Sequence, residues 1–115
     1  MTENEIYKIL TETGLPVTYD HWNEKDVPAL PYLVYRYPAV ESIPADDGSR
    51  VSVADLDVEL YTDTKEPETE KAVEAVFHDY GIIYNKTERY ISSERLYETL
   101  YETEVILDGQ DSIWN

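Results

Sequence analysis

Apolar residues recur along this chain with two distinct periods, and the switches between those periods predict its elements. Thr2 followed by Glu5 has the spacing of a capping box, in which hydroxyl and carboxylate each satisfy a free backbone N–H at a helix start. Ile6, Ile9 and Leu10 then share one helical stripe and Gly14 supplies a left-handed stop, which predicts a helix over about Glu3 to Thr13. Pro16 keeps the chain extended, giving a short strand from Leu15 to Tyr19 and a loop from His21 to Pro31.

Tyr32 to Tyr37 is rich in β-formers and closes at Pro38, with Tyr35 and Tyr37 on one face. The polar stretch that follows, with Pro44 and Asp46-Asp47-Gly48-Ser49, reads as the turn of a long hairpin. On the returning strand, Val51 to Tyr61, Leu56, Val58 and Leu60 alternate with Asp55, Asp57 and Glu59, so one side faces water. Val51 and Val53 are out of phase with that set. Either a bulge near Ala54 or a strand end that buries its other face against a partner reconciles them.

Pro67, with Glu66, Glu68 and Glu70 around it, opens a second helix that carries Ala72, Val73, Val76, Phe77 and Tyr80 on its apolar stripe and stops at Gly81. Strands from Ile82 to Thr87 and from Leu96 to Leu107 complete the order α-β-β-β-α-β-β. The expected fold is α+β, a mostly antiparallel sheet with two helices packed on one face. Residues 1–107 form the domain, and 108–115 are expected to be a flexible tail in which Ile113 and Trp114 are apolar.

Length confirms one domain, because 115 residues leave no room for a second core. Nine Lys and Arg against 25 Asp and Glu give a net charge of −16, which disfavours stable binding to nucleic acid. With no cysteine there are no disulfides, thiolate metal sites or cysteine nucleophile. No apolar run is long enough to span a membrane and the acidic start lacks a secretion signal, so an intracellular product with no membrane contact is expected.

Candidate chemistry is sparse. His21 and His78 have no second ligand at a useful spacing, and Asp46 to Ser49 lacks the oxygen ligands of a calcium loop, since its third position is Gly48. Phosphate loops and nucleophile motifs are absent, so no enzyme activity, catalytic residue, metal or cofactor is expected. Eleven tyrosines are more than a small core requires. Tyr35, Tyr37, Tyr97 and Tyr101 either pack across strands within one subunit or, with Trp114, form surface that another chain covers.

The run Asp55-Leu-Asp-Val-Glu-Leu-Tyr-Thr-Asp-Thr-Lys-Glu-Pro-Glu-Thr-Glu70, a short amphipathic helix, and then Gly81-Ile-Ile-Tyr-Asn-Lys-Thr-Glu-Arg-Tyr-Ile91 carry a family likeness. So do Glu5 to Leu10, Thr13 to Tyr19 and Leu96 to Glu102. Over Thr2 to Leu107 the chain resembles the tail-completion, tail-terminator or head-tail joining proteins of long-tailed bacteriophages and prophages. That resemblance implies a virion subunit that forms a homo-oligomeric ring, commonly hexameric, at the head-proximal end of the tail. The ring would contact the tail-tube protein and the head connector, and the chain would pass from the host cytoplasm into the virion. It transfers no individual functional residue. Within such a ring, Asp55, Asp57, Glu59, Glu98, Glu102 and Glu104 are candidates for an acidic lumen past which DNA slides without sticking. The alternative is a small acidic DNA mimic that inhibits a host nucleic-acid-binding protein.

Overall fold

Thr2 accepts a hydrogen bond on its hydroxyl from the Glu5 backbone N–H at 3.2 Å, as the capping-box spacing requires. Helix α1 therefore starts at Glu3, and it ends at Thr11. The two residues short of the expected end are taken up by tight turns: Thr13 N–H bonds Leu10 and Gly14 N–H bonds Thr11, with Gly14 at φ 81°. These features come from a computed structural model that describes residues 1–44 and 50–108, the Arg50 side chain excepted. The Asp46 to Ser49 turn and Trp114 lie outside the described residues.

After α1 come β1 (Val17–Tyr19), β2 (Tyr32–Arg36), β3 (Val40–Pro44) and β4 (Arg50–Thr62). Helix α2 (Pro67–Asp79), β5 (Tyr84–Ile91) and β6 (Leu96–Leu107) follow. The fold is α+β, and its six-stranded sheet runs β1-β2-β4-β6-β5 with β3 also paired to β4. All ladders are antiparallel except β1 with β2. No helix among the described residues is long and apolar enough to cross a membrane.

The expected order lacks β3, which the structure adds between β2 and β4. Arg36 faces Asp57 and Val40 faces Ala54, so four steps along β2 and β3 match three along β4. One extra residue around Pro38 is thus a bulge between two strands that share a single β4 edge. Strand β5 also runs to Ile91, beyond the expected Thr87. Its polar end is held by β6, as Arg89 pairs with Glu98 and Ile91 with Leu96.

One sheet face carries the core. Leu33, Tyr35, Leu56, Val58, Leu60 and Tyr101 are buried there against Ile6 and Leu10 of α1 and Val73 and Phe77 of α2. Both helices therefore cover the same side, where side chains of alternating strand residues converge. Strand β4 keeps one phase along its length: Ala54 is fully buried on the helix side, and Val51 and Val53 emerge on the other. There is no bulge at Ala54. This strand end presents apolar residues on the face without helices, which is the geometry, though not the partner, of the second expectation.

Candidate functional site

The helix-free face is organised in rungs set by the β4–β6 register. Asp55 faces Glu104, Asp57 faces Glu102, Glu59 faces Leu100 and Tyr61 faces Glu98. All six carboxylates singled out in the sequence thus share this face, because each occupies the same phase of its strand. They do not share one environment.

Glu59 and Glu98 are buried, at 7% and 6% exposure, and so cannot line an open lumen. Arg36 Nη2 donates to Glu59 Oε2 at 3.2 Å, and Arg89 Nε donates to Glu98 Oε1 at 3.1 Å. The Tyr61 hydroxyl lies 2.8 Å from Glu98 Oε2 and 3.2 Å from Glu59 Oε2, and its single proton serves one of them at a time. Aromatic rings flank this cluster: Trp22 meets Tyr32 edge-on at 5.8 Å, and Tyr32 meets Tyr61 at 5.5 Å. Burial pushes the Glu59 carboxyl above its ordinary value. Arg36 and the Tyr61 hydrogen bond pull it down, and the charges of Glu98 and Asp57 add to the rise.

Asp55, Asp57, Glu102 and Glu104 remain. None forms an ion pair with another described residue. Burial and the facing Glu102 raise the Asp57 carboxyl, with Arg36 opposing. The four line a shallow depression of about 740 Å³ together with Pro38, Ile83 and Asn85. Ile83 is 87% exposed at its rim. Among the described residues no group of three or more His, Asp or Glu could hold a metal ion. The His21 ring nitrogen Nδ1 lies 2.9 Å from the neighbouring Asp20 carboxylate, and His78 sits exposed on α2.

Three of the candidate interface tyrosines are core residues instead. Tyr35, Tyr37 and Tyr101 are at most 8% exposed and belong to the subunit's own core, leaving no ring surface for a second chain. Tyr35 and Tyr37 pack against Tyr19 in tilted and edge-on geometry, and Tyr101 meets Phe77 at 5.3 Å and Tyr84 at 5.2 Å. Of the four, Tyr97 alone is half-buried; its ring lies 6.4 Å from that of Tyr90 and under the Lys65 ammonium. The excess of tyrosine is explained by cross-strand packing at these positions. Apolar exposure appears instead at Tyr7 and Tyr19 near β1, at Ile83 and Tyr90 on the β5 side, and at Ile43 and Ile106 on the helix-free face.

A second polar cluster lies on the helix side. Glu70, 3% exposed, accepts from Lys65 Nζ at 2.8 Å and Lys86 Nζ at 2.6 Å. Glu74 accepts from Lys86 at 2.7 Å and from the Tyr101 hydroxyl at 2.8 Å. These bonds fasten α2 to β5 and β6, and two of the chain's nine cations are spent there. The chain matches no family model and no curated protein.

Proposed function

We propose that this chain is a structural subunit of a long-tailed phage or prophage particle, assembled as a ring where the tail meets the head. The observation that carries the proposal is the pair of unlike sheet edges. On one side the sheet ends in β1, three residues beside exposed Tyr7 and Tyr19, and alongside it in β3. Strand β5 ends it on the other with eight, between exposed Ile83 and Tyr90. A head-to-tail ring requires two different patches on every subunit, and an unpaired edge is a template for pairing. The quoted sequence runs supply the second support, through the family they resemble.

Tail-terminator and head-tail joining roles ask for the same kind of surface, so the test is made on particles. In a phage that encodes this chain, its removal should yield overlong tails or heads left unjoined, seen by electron microscopy. Normal particles in normal number would overturn the proposal.

A further inference from the structure

Register places four branched aliphatic residues together at one end of the helix-free face. Ile43 faces Val51 across the β3–β4 ladder, and Val53 faces Ile106 across the β4–β6 ladder. Ile43 is 45% exposed and Ile106 57%, while Val51 and Val53 are half-buried. No helix among the described residues covers them. On the same face Glu41 stands opposite Val53, and the next rung pairs Asp55 with Glu104. Beyond it, Asp57 pairs with Glu102, so two successive rungs set like charges directly opposite, an arrangement that destabilises a sheet by itself.

We propose that this end of the sheet is a docking surface for another protein, one that presents an apolar knob surrounded by Lys or Arg. Charge complementarity around an apolar centre selects this partner. Contiguous exposed aliphatic residues with a charged rim mark interaction sites, and a cationic rim on the partner would neutralise the Asp55–Glu104 and Asp57–Glu102 rungs. A second copy of this chain fits poorly, since its net charge is −16 and four of its nine Lys and Arg, namely Arg36, Lys65, Lys86 and Arg89, are engaged with its own carboxylates. Duplex DNA is repelled by the same rungs. The aliphatic centre also separates this surface from a phosphate mimic, which has no use for an apolar anchor. The inference holds whether or not the chain is a tail component.

The probe is a synthetic amphipathic helical peptide with leucines on one face and lysines flanking them, titrated into the full chain and followed by calorimetry and amide chemical shifts. Shifts should cluster at Ile43, Val51 to Asp55 and Glu104 to Ile106. The exposed-site variant I43S/I106S should weaken binding by about tenfold or more, since each loses an apolar contact. D55N/E104Q should weaken it severalfold and lessen its salt dependence, whereas E68Q on the remote face of α2 should bind as the parent does. Three results would overturn the proposal. I43S/I106S could bind unchanged, which means attraction by net charge alone. The parent could self-associate in sedimentation with I43S/I106S monomeric, which makes a second copy the occupant. Removal of residues 109–115 could raise affinity tenfold, which makes the chain's own terminus the occupant.

Discussion

Two buried glutamates should respond differently to the same conservative change. Glu70 has 4% of its side chain exposed and receives Lys65 at 2.8 Å and Lys86 at 2.6 Å. Burial alone would raise its carboxyl, but the two lysine hydrogen bonds outweigh burial and hold it below the usual carboxylate range. Replacing it with Gln leaves the shape and removes the charge. Both lysines are partly exposed, at 41% and 32%, and recover water, so the full cost of orphaned buried charges does not apply. Loss of charge-assisted bonds then costs about 1–3 kcal/mol. Glu59 is held above its ordinary value, so its ionised form is a net burden at neutral pH, and E59Q should be neutral or stabilising by up to about 1 kcal/mol.

The pH dependence follows from those directions. A depressed carboxyl contributes stability above the unfolded value, roughly 4.3, and loses it as pH falls through the lower folded value. The E70Q deficit should therefore shrink from pH 7 toward pH 2. A raised carboxyl contributes stability below the unfolded value and loses it as pH rises through the folded one. Any gain in E59Q should therefore be present at pH 7 and vanish near pH 4. Urea unfolding followed by circular dichroism reads both, with a midpoint for E70Q about 1 M lower at pH 7. Equal losses in the two variants at pH 7, or an E70Q deficit undiminished in acid, would contradict these charge assignments.

Phe77 is fully buried between Tyr84 and Tyr101, so F77A should cost about 3–5 kcal/mol, measured as a fall in urea midpoint at constant slope. Y101F keeps the ring and loses the 2.8 Å bond to Glu74, for about 1–2 kcal/mol in the same assay. T2A removes the N-terminal side-chain cap of α1, and a loss of about 1 kcal/mol is expected by thermal melting. Burial, with nearby Tyr7, Glu3 and Tyr19, pushes the Tyr35 phenol up to about 12, and burial together with Glu74 raises Tyr101 further. Alkaline absorbance titration should leave both protonated at pH 11 while the fold persists, and ionisation of either near pH 10 would contradict that.

The parts of this fold that a single chain's pattern could convey were those fixed by local chemistry. Thr2 and Glu5 marked the start of α1, and the alternation of Leu56, Val58 and Leu60 with acids marked β4. Leu96 to Leu107 agrees at both ends, since twelve alternating residues leave little choice of phase. Strand β3 was hidden because Val40 to Pro44 has no apolar alternation of its own; pairing to β4 and the bulge at Pro38 make it a strand. Only tertiary pairing distinguishes Glu59 and Glu98 from Asp55 and Glu102. All occupy the wet phase, but Arg36, Arg89 and Tyr61 converge on the first two from other strands or other rungs. The tyrosines misled for a related reason. A ring on a strand suits a core or an interface equally, and which one holds depends on where the helices settle. Val51 and Val53 gave the most useful signal, because a phase conflict in the sequence marked the apolar end of the exposed face.

If this chain acts by its outer surfaces within a larger assembly, as proposed, cryo-electron microscopy of the head–tail junction in a particle that encodes it should show a closed ring of this chain, joined through the β1 and β5 sides, with the Ile43–Ile106 end of the sheet covered by a basic protein. A junction complete without this chain would overturn that proposal.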